Sequence, residues 1–348
     1  MSGYGVFNRP GEAPRVGYRR GDSVADLSGL DEVFRQPSLN AFMAQGRSVK
    51  AEARAAAESA PLVPLSDVEL HLPFEVADYV DFYSSLEHAT NLGRLFRPDS
   101  DPLLPNWRRL PVGYHGRAGT IVVSGTPVTR PSGQSKPPDA AEPVFGPSKR
   151  LDIELELGYV IGTPSRIGEP VPVEEALGHV FGIVLVNDWS ARDIQAWEYQ
   201  PLGPFLGKSF ATTISAWVTP IDLLEPHRVA GREQDPEPLP YLRAEPSAYD
   251  IDLEVELNGE IVSRTSARNL YWSIEQQIAH ATVNGASLRT GDLLATGTIS
   301  GSEPGTQGSL IELNWNSSFL EDGDEVVLRG RAGDVELSEA RGTILPAR

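Results

Sequence analysis

The sequence has 348 residues, of which 40% are hydrophobic, and contains 33 Gly and 29 Pro but no Cys. Its net charge of -18 repels phosphate backbones and anionic membrane surfaces, so neither nucleic acid nor a membrane is an expected partner. The lack of cysteine excludes disulfides, thiolate nucleophiles and Cys-ligated metal sites. No apolar run is long enough for a membrane span and the first residues lack a signal-peptide core, so a cytoplasmic location is expected.

The first part of the chain differs from the rest. A turn-rich start precedes an Ala-rich segment that favours a helix over residues 38–57, which Pro61 and Pro64 then interrupt. The segment VELHLPF returns to the alternation typical of a strand. We therefore expect a small N-terminal domain over residues 1–75 and a larger domain over residues 76–348.

The larger domain is expected to consist mainly of strands. Ser273 and Gln276 form a capping-box pattern that predicts a helix start, with Gly285 just past its end. Few strands are followed by a crossover helix, which favours a mainly β (α+β) roll or sandwich over a doubly wound sheet. The predicted strands cover residues 121–125, 151–161, 181–188, 251–257, 292–298, 309–315 and 325–330.

Two strands carry alternating acidic side chains. In LDIELEL, Asp152, Glu154 and Glu156 share one face, because residues two apart in a strand point the same way. A half-buried strand with a hydrated face is the plain interpretation. The segment IDLEVELNGE repeats the pattern and ends in an Asn-Gly hairpin turn, so the pattern alone does not say which strand holds a cation.

The apolar run FGIVLVND favours the first of these strands, because it is a buried strand that ends in Asp188. At 4 Å and an effective dielectric near 20, two like charges repel by about 4 kcal/mol, so converging carboxylates must bind a cation or protonate. Oxygen ligands without Cys or a His cluster suit Mg²⁺, Ca²⁺ or Mn²⁺ rather than Zn²⁺.

A short helix is expected over residues 190–199, where Arg192, Gln195 and Tyr199 share one face toward Asp188. A solvated amphipathic helix is the alternative; in the sharper interpretation Arg192 clamps a substrate carboxylate. The following GPFLGKS lacks the spacing of a phosphate-binding loop, so Lys208 is expected to serve the carboxylate site or an anionic intermediate unless it is a plain surface lysine.

His88 is the leading candidate for a general base. The segment SSLEHATNLG predicts a helix start with Ser84 and Glu87 as capping box and His88 in its first turn, although a surface histidine is the alternative. His115, in the turn GYHGRAG, is a second candidate. Neither G-x-S-x-G nor H-E-x-x-H occurs, so nothing favours a serine hydrolase or a zinc protease.

Several long segments closely resemble the fumarylacetoacetase family: DFYSSLEHATNLG, LPNWRRLPVGYHGRAGTIVVSGTPV, LDIELELG, VLVNDWSARDIQAWEYQPLGPFLGKSF and GTISG. The resemblance implies a small N-terminal β-barrel-like domain, a mixed β-roll catalytic domain that dimerises, and hydrolysis of fumarylacetoacetate to fumarate and acetoacetate at the end of tyrosine, phenylalanine and homogentisate breakdown. It implies that the metal ligands are Asp81, Glu154, Glu156 and Asp188, which selects LDIELEL over its look-alike.

The resemblance also assigns the remaining roles. His88 matches the general base and Glu312 the carboxylate that orients it, while Lys208 and Thr212 match positions that support the metal site. Arg192, Gln195 and Lys208 are expected to stabilise negative charge during the reaction. The positions that match substrate-binding residues are Tyr83, Arg97, Tyr114, Arg192, Gln195, Tyr199 and Thr298.

Two rival hypotheses remain at this point. Another member of the wider superfamily could act on a related β-diketo acid as a hydrolase, isomerase or decarboxylase, although the His88–Glu312 pair argues against isomerases. A non-catalytic β-rich protein stabilised by Ca²⁺ is the rival from a different class.

Overall fold

A computed structural model of the chain describes residues 1–45 and 47–348. The expectation of a mainly β, α+β architecture is confirmed. Among the described residues, no helix combines the length and the apolar character needed to cross a bilayer. The elements of the first 75 residues are β1 Ser2–Asn8, β2 Arg15–Arg20, β3 Ser23–Asp26, α1 Asn40–Met43, α2 Arg47–Ala57, β4 Leu62–Pro64 and β5 Glu69–His71.

The start of the chain is more regular than the sequence suggested. Strands β1, β2 and β3 form an antiparallel meander where only turns were expected. Glycines in these strands obscure their pattern, but they permit close packing: a Cβ on Gly5 would lie 2.5 Å from the ring of Trp217. The single helix expected over residues 38–57 is two helices, α1 and α2, and residue 46 lies outside the described residues.

The rest of the chain adds twenty strands and five α-helices within the described residues. The strands are β6 Tyr79–Phe82, β7 Gly113–His115, β8 Ile121–Val123, β9 Val128–Thr129, β10 Ser132–Ser135, β11 Val144–Pro147, β12 Leu151–Asp152, β13 Leu155–Ile161, β14 Val180–Asp188, β15 Ser190–Ala191, β16 Thr212–Ile214, β17 Trp217–Pro220, β18 Arg228–Ala230, β19 Ser247–Tyr249, β20 Asp252–Leu257, β21 Glu260–Ser266, β22 Leu293–Ala295, β23 Glu325–Ala332, β24 Val335–Glu336 and β25 Ala340–Leu345. The helices are α3 Leu86–Phe96, α4 Arg192–Glu198, α5 Ile221–Leu224, α6 Ile274–Thr282 and α7 Leu310–Leu313.

One large sheet runs through both parts of the chain, in the order β4-β3-β2-β1-β17-β14-β13-β22-β6-β7, with β5 on β1 and β16 on β14. Strand β14 is buried along its whole length, as its continuous apolar run predicts. Its neighbours β13 and β16 are antiparallel to it, whereas β22 and β6 run parallel to each other. This arrangement brings the residues at the ends of β6, β13 and β14 together at one end of the sheet.

A second sheet, β21-β20-β23-β25-β9, packs against the first. Leu185 of β14 shares a buried core with Leu253, Leu328 and Ile344 of the second sheet. The look-alike acidic strand is β20, which turns into β21 through Asn258 and Gly259, both at positive φ, as the hairpin prediction requires. Its acidic side chains pair across the sheet with arginines: Glu254 with Arg264 and Glu256 with Arg329.

Two predictions of local structure are wrong and one is confirmed. The segment 309–315, expected as a strand, forms helix α7. The N-cap of α3 is Ser85, whose Oγ accepts from the backbone N–H of His88, and not Ser84. Ser273 caps α6 in a complete capping box with Gln276, as expected.

Candidate active site

Four carboxylates converge at the end of the large sheet. Asp81 lies in β6, Glu154 just before β13, Glu156 within β13, and Asp188 at the end of β14. The ladder between β13 and β14 sets Glu154 beside Asp188, and the backbone N–H of Asp188 donates to the carbonyl of Glu154 at 3.2 Å. One oxygen from each of the four side chains lies within 4.8 Å of the others, and all four residues are buried.

The acidic strand is therefore unlike the half-hydrated strand that its alternation suggested. Every residue from Leu151 to Ile161 is buried, and the strand is interrupted at residues 153 and 154. Both faces lie inside the protein: the core shared with the second sheet covers one face, and the site and the apolar core that contains Val160 cover the other. The plain interpretation is thus wrong for this strand, while it holds for β20.

Two oxygen atoms of the carboxylate cluster have no partner among the described residues. Asp81 Oδ1 and Glu156 Oε1 are buried and have no hydrogen-bond partner among the described residues. Burial, and then repulsion from Asp188 and Glu154, raises the pKa of Asp81 well above the ordinary range. Burial, and then repulsion from Asp81, Glu154 and Asp188, does the same to the pKa of Glu156. These unpartnered oxygens are the ligands that a hard divalent cation requires, so the residues fit a divalent metal ion.

Two cations already lie beside the cluster. Lys208 Nζ contacts Glu154 Oε2 and donates to Asp188 Oδ2 at 2.9 Å. Arg192 Nη2 lies 2.8 Å from Glu154 Oε1. Burial opposes ionisation of Glu154, but Lys208 and Arg192 outweigh it and hold the pKa of this carboxyl well below its usual range. Glu154 is thus ionised, whereas Glu156 has no cation in contact with it among the described residues.

Asp188 receives three donors. Thr212 Oγ1 donates to Oδ1 at 2.9 Å, while Lys208 Nζ and the hydroxyl of Tyr114 donate to Oδ2 at 2.9 and 3.1 Å. Burial nevertheless raises the pKa of Asp188. The structure thus brings Lys208 and Thr212 to the cluster, as the sequence analysis expected.

A histidine–carboxylate pair stands next to the cluster. His88 Nδ1 lies 2.6 Å from Glu312 Oε2, and His88 Nε2 lies 3.9 Å from Glu154 Oε1. Because a carboxylate only accepts, Nδ1 carries the hydrogen, and Nε2 of the neutral ring is left to accept a proton.

Glu312 is itself held by an unusual number of donors. Burial opposes its ionisation, but His88 and the neighbouring donors hold the pKa of Glu312 below its usual value. Besides His88, these donors are Asn91 Nδ2 at 3.0 Å, Ser300 Oγ at 3.0 Å and Ser309 Oγ at 2.6 Å. Asn91 and Ser300 were not singled out by the sequence, because no local pattern links them to residue 312. Ser309 stands three positions before Glu312, and this Ser-x-x-Glu spacing is a local signal that could have found it.

Helix α4 presents Arg192, Gln195 and Tyr199 to the site, as its spacing predicted. Arg192 is only 1% exposed, however, and its Nε donates to Asp152 Oδ2 at 2.8 Å. Its Nη1 donates to Gln195 Oε1 at 3.2 Å, which fixes the amide so that the Gln195 NH₂ is left to donate elsewhere.

A cavity of about 440 Å³ opens onto the cluster. Glu156, Asp188, Thr212 and Glu312 lie behind its wall. His115, the second histidine candidate, lies outside this wall with its side chain 78% exposed. The predicted site residues that line the cavity are Asp81, Tyr83, His88, Arg97, Tyr114, Glu154, Arg192, Gln195, Tyr199, Lys208 and Thr298.

Some wall groups have free hydrogen-bonding capacity. Thr298 Oγ1 and Arg97 Nε are buried atoms without a hydrogen-bond partner among the described residues, although Arg97 Nη2 donates to the carbonyl of Pro102 at 2.8 Å. Burial raises the pKa of Tyr83 and Tyr114, so both phenols are neutral donors. The cavity therefore offers neutral and cationic donors around an anionic floor, which suits a small polar substrate with its own oxygen atoms.

The architecture and this site define an α+β enzyme with a carboxylate site for a divalent metal ion. Two family models match the chain: "Fumarylacetoacetase N-terminal" over residues 3–73 and "Fumarylacetoacetate (FAA) hydrolase C-terminal" over residues 78–343. Fumarylacetoacetase of Rattus norvegicus is 47% identical over 99% of this chain and 95% of its own length. Fumarylacetoacetase of Arabidopsis thaliana is 45% identical over 99% of this chain and 94% of its own length. The chain belongs to the fumarylacetoacetase family.

Solved structures share the same fold at lower identity. Fumarylacetoacetate hydrolase from Exiguobacterium antarcticum superposes with a TM-score of 0.67 at 20% identity, with both chains fully covered. Maleylpyruvate hydrolase from Sphingobium sp. SYK-6, solved with manganese(II) and pyruvate, gives 0.65 at 17% identity, also with full coverage. At these identities the likeness extends to the fold alone.

Proposed function

We propose that this protein hydrolyses the carbon–carbon bond of fumarylacetoacetate to give fumarate and acetoacetate, the last step of tyrosine and homogentisate breakdown. The observation that carries the proposal is the position of His88. Its Nε2 lies 3.9 Å from Glu154, a member of the carboxylate cluster, while Nδ1 is bound to Glu312. A general base beside a metal site is what water addition to a carbonyl requires.

The four carboxylates of Asp81, Glu154, Glu156 and Asp188 would hold a divalent ion, Mg²⁺ or Ca²⁺ with Mn²⁺ also possible. When bound, such an ion polarises the carbonyl groups of a 1,3-diketone. Four carboxylates exceed the charge of the ion by two. Lys208 supplies one positive charge to them, and Arg192 shares a second with Asp152. This excess of negative charge accounts for buried cations in an acidic protein.

His88 acts as the general base in this proposal. Nε2 removes a proton from water as the water oxygen adds to the carbonyl carbon, and Glu312 keeps the ring oriented and stabilises the imidazolium. The Gln195 NH₂ donates to the oxygen that becomes negative, and the charges of Arg192 and Lys208 favour it. The carbon–carbon bond then breaks and its electrons stay on the carbon of the acetoacetate fragment. That carbon takes up the proton that His88 Nε2 removed from water, which returns His88 to its neutral form.

The rest of the cavity wall would orient the substrate. Arg97 has an unpartnered Nε, which is suited to a terminal carboxylate, and Thr298 Oγ1 is free to donate. Tyr83, Tyr114 and Tyr199 complete the set of proposed substrate-binding residues.

The test is an assay on the purified protein. Fumarylacetoacetate and Mg²⁺ are added, loss of the diketone absorbance is followed, and fumarate and acetoacetate are identified. We expect turnover by the wild type, none after chelation, recovery on adding metal back, and a loss of about 10²–10⁴-fold for His88→Ala. His115→Ala is the matched control and should stay active. A wild-type protein that leaves the diketone unchanged, and only loses thermal stability with chelator, would instead be the Ca²⁺-stabilised binding protein.

We also propose a cytoplasmic homodimer, on the strength of the family likeness, and a small N-terminal unit of residues 1–75 before a catalytic unit of residues 76–348. The matched segments 3–73 and 78–343 support that boundary, although β1 pairs with β17 and joins the two units in one sheet. Light scattering during size-exclusion chromatography tests the dimer, and limited proteolysis tests the boundary near residue 75.

A further inference from the structure

Asp152 is a buried carboxylate that no step above uses. It is 0% exposed and lies in β12, whose short ladder with β15 places it opposite Ser190, two residues before α4 begins. Although Asp152 stands two positions before Glu154 in the acidic strand, it is not part of the four-carboxylate cluster. Its oxygen atoms turn instead toward α4 and α7.

The carboxylate of Asp152 binds four donors. Oδ1 accepts from the backbone N–H of Ile153 and of Leu310, each at 2.8 Å. Oδ2 accepts from Arg192 Nε at 2.8 Å and from the backbone N–H of Ile311 at 3.2 Å. One side chain thus fixes the guanidinium of Arg192 and the first turn of α7.

These two contacts reach both functional groups of the cavity. Helix α7 is four residues long and carries Glu312, which orients His88. A helix this short has little stability of its own, so its position depends on contacts such as those with Asp152. Arg192 forms part of the cavity wall, and its Nη2 and His88 Nε2 lie 2.8 and 3.9 Å from the same oxygen, Glu154 Oε1.

We propose that Asp152 is a positioning residue that sets Arg192 and the Glu312–His88 pair in register with each other. The proposal rests on the hydrolase function proposed above. A carboxylate is required because all four partners are donors. An amide has one acceptor oxygen and one NH₂ group, so Asp152→Asn leaves two donors facing an NH₂ in either orientation.

The experiment compares Asp152→Asn with Asp193→Asn. Asp193, on the same helix as Arg192, also accepts from backbone and hydroxyl donors, Lys149 N–H and Ser148 Oγ, but does not touch the site. We expect kcat per folded molecule to fall about 100-fold in Asp152→Asn, as displacements of about 1 Å do in catalytic sites, and KM to rise through Arg192. Asp193→Asn should keep both values within about twofold of the wild type.

A double-mutant cycle separates positioning from a general loss of structure. In a Glu312→Gln background, Asp152→Asn should lower kcat far less than in the wild type, because both changes disable the same pair. A readout that needs no activity is the downfield proton NMR signal of the His88 Nδ1–H. That signal should shift or disappear in Asp152→Asn and stay in Asp193→Asn.

The proposal is overturned if Asp152→Asn matches Asp193→Asn in kcat and in the NMR signal, or if its effect adds in full to that of Glu312→Gln. If Asp152→Asn does not fold, Leu310→Pro against Leu310→Ala answers the question. Proline is tolerated at the first helical position, and there it removes the backbone N–H that donates to Asp152. The residue before a proline prefers an extended backbone, which Ser309 already has. We expect lower kcat in Leu310→Pro, and equal kcat would refute the proposal. If the wild type is inactive but its NMR signal still changes in Asp152→Asn and not in Asp193→Asn, only the proposed function is refuted.

Discussion

Replacing Glu156 by glutamine should make the metal-free protein more stable. Glu156 is 0% exposed, its Oε2 accepts from the backbone N–H of Gly297 at 3.1 Å, and its Oε1 has no partner among the described residues. Burial and the charges of Asp81, Glu154 and Asp188 raise its pKa well above 4.5. Without a metal ion the folded protein therefore holds a proton on this carboxyl that the unfolded chain would release.

The size of the effect follows from that proton. Holding a carboxyl of ordinary pKa 4.5 protonated costs about 1.4 kcal/mol per pH unit, or at most about 3.4 kcal/mol at pH 7. Because the pKa of Glu156 is higher in the folded protein than in the unfolded chain, its contribution to the free energy of unfolding is fully present below about pH 4.5 and is lost as the pH rises. Glutamine carries no such proton, so Glu156→Gln should raise Tm at pH 7 by up to about 7 °C, at about 2 °C per kcal/mol.

The assay is thermal unfolding in chelator and in excess Mg²⁺, each at pH 5 and pH 7. In Mg²⁺ the order should reverse, because the variant has lost one charged ligand. Glu254→Gln, on the exposed acidic strand, is the matched control: Glu254 is 33% exposed and pairs with Arg264, so its effect should stay within about 0.5 kcal/mol and should not depend on metal. A Glu156→Gln protein that melts below the wild type in chelator at pH 7 would refute the reasoning.

Three further predictions concern stability. Lys208→Met leaves Glu154 and Asp188 without their shared cation and should destabilise the metal-free protein by about 3–5 kcal/mol in denaturant unfolding; an unchanged midpoint contradicts this. Burial raises the pKa of Asp292 to about 6, so the stability that its protonated form contributes is lost as the pH rises from about 4 to about 6. Over that range the Tm of Asp292→Asn should rise relative to that of the wild type, and a constant difference in Tm would contradict this. Ser273→Ala removes the cap of α6 and should cost about 1 kcal/mol by the same measurement, with no effect on kcat.

Glu154 is the electrostatic centre of the site. It contacts Lys208 and Arg192, and its Oε1 is 3.9 Å from His88. The cation pairs keep it ionised, whereas Glu156 and Asp81 gain nothing comparable from the protein. The protein therefore neutralises part of the cluster, at Glu154, and leaves the carboxylates of Asp81 and Glu156 available to a metal ion.

Local patterns predicted those elements whose signal is contained in a few neighbouring residues. The capping box at Ser273, the hairpin turn at Asn258 and the buried run of β14 are examples, because side chain and backbone partners lie within one turn or one strand. Helix α7 was missed for the opposite reason. Its alternating apolar residues favour a strand, but Asp152, far away in sequence, binds its first two N–H groups.

The site divides in the same way. The family motifs indicated the carboxylates, His88, Glu312 and the cavity residues, and the fold brings them together. Asp152 was noticed only as one of three acids on a shared face. The residues adjacent to Asp152 in the sequence do not distinguish it from Glu154. The difference is that the carboxylate oxygens of Asp152 accept hydrogen bonds from α4 and α7.

The sequence by itself determined the class of chain, the presence of acidic and apolar strands, the turn and cap residues, and the family. These depend on composition, short-range periodicity and long motifs. Only the tertiary structure decided which acidic strand is buried, which carboxylates lack partners, and which donors hold Glu312 and Arg192. The physical reason is that burial and hydrogen bonding are properties of contacts between distant segments. Residues 151–157 and 251–257 carry nearly the same letters, but the parts of the protein that pack on them differ.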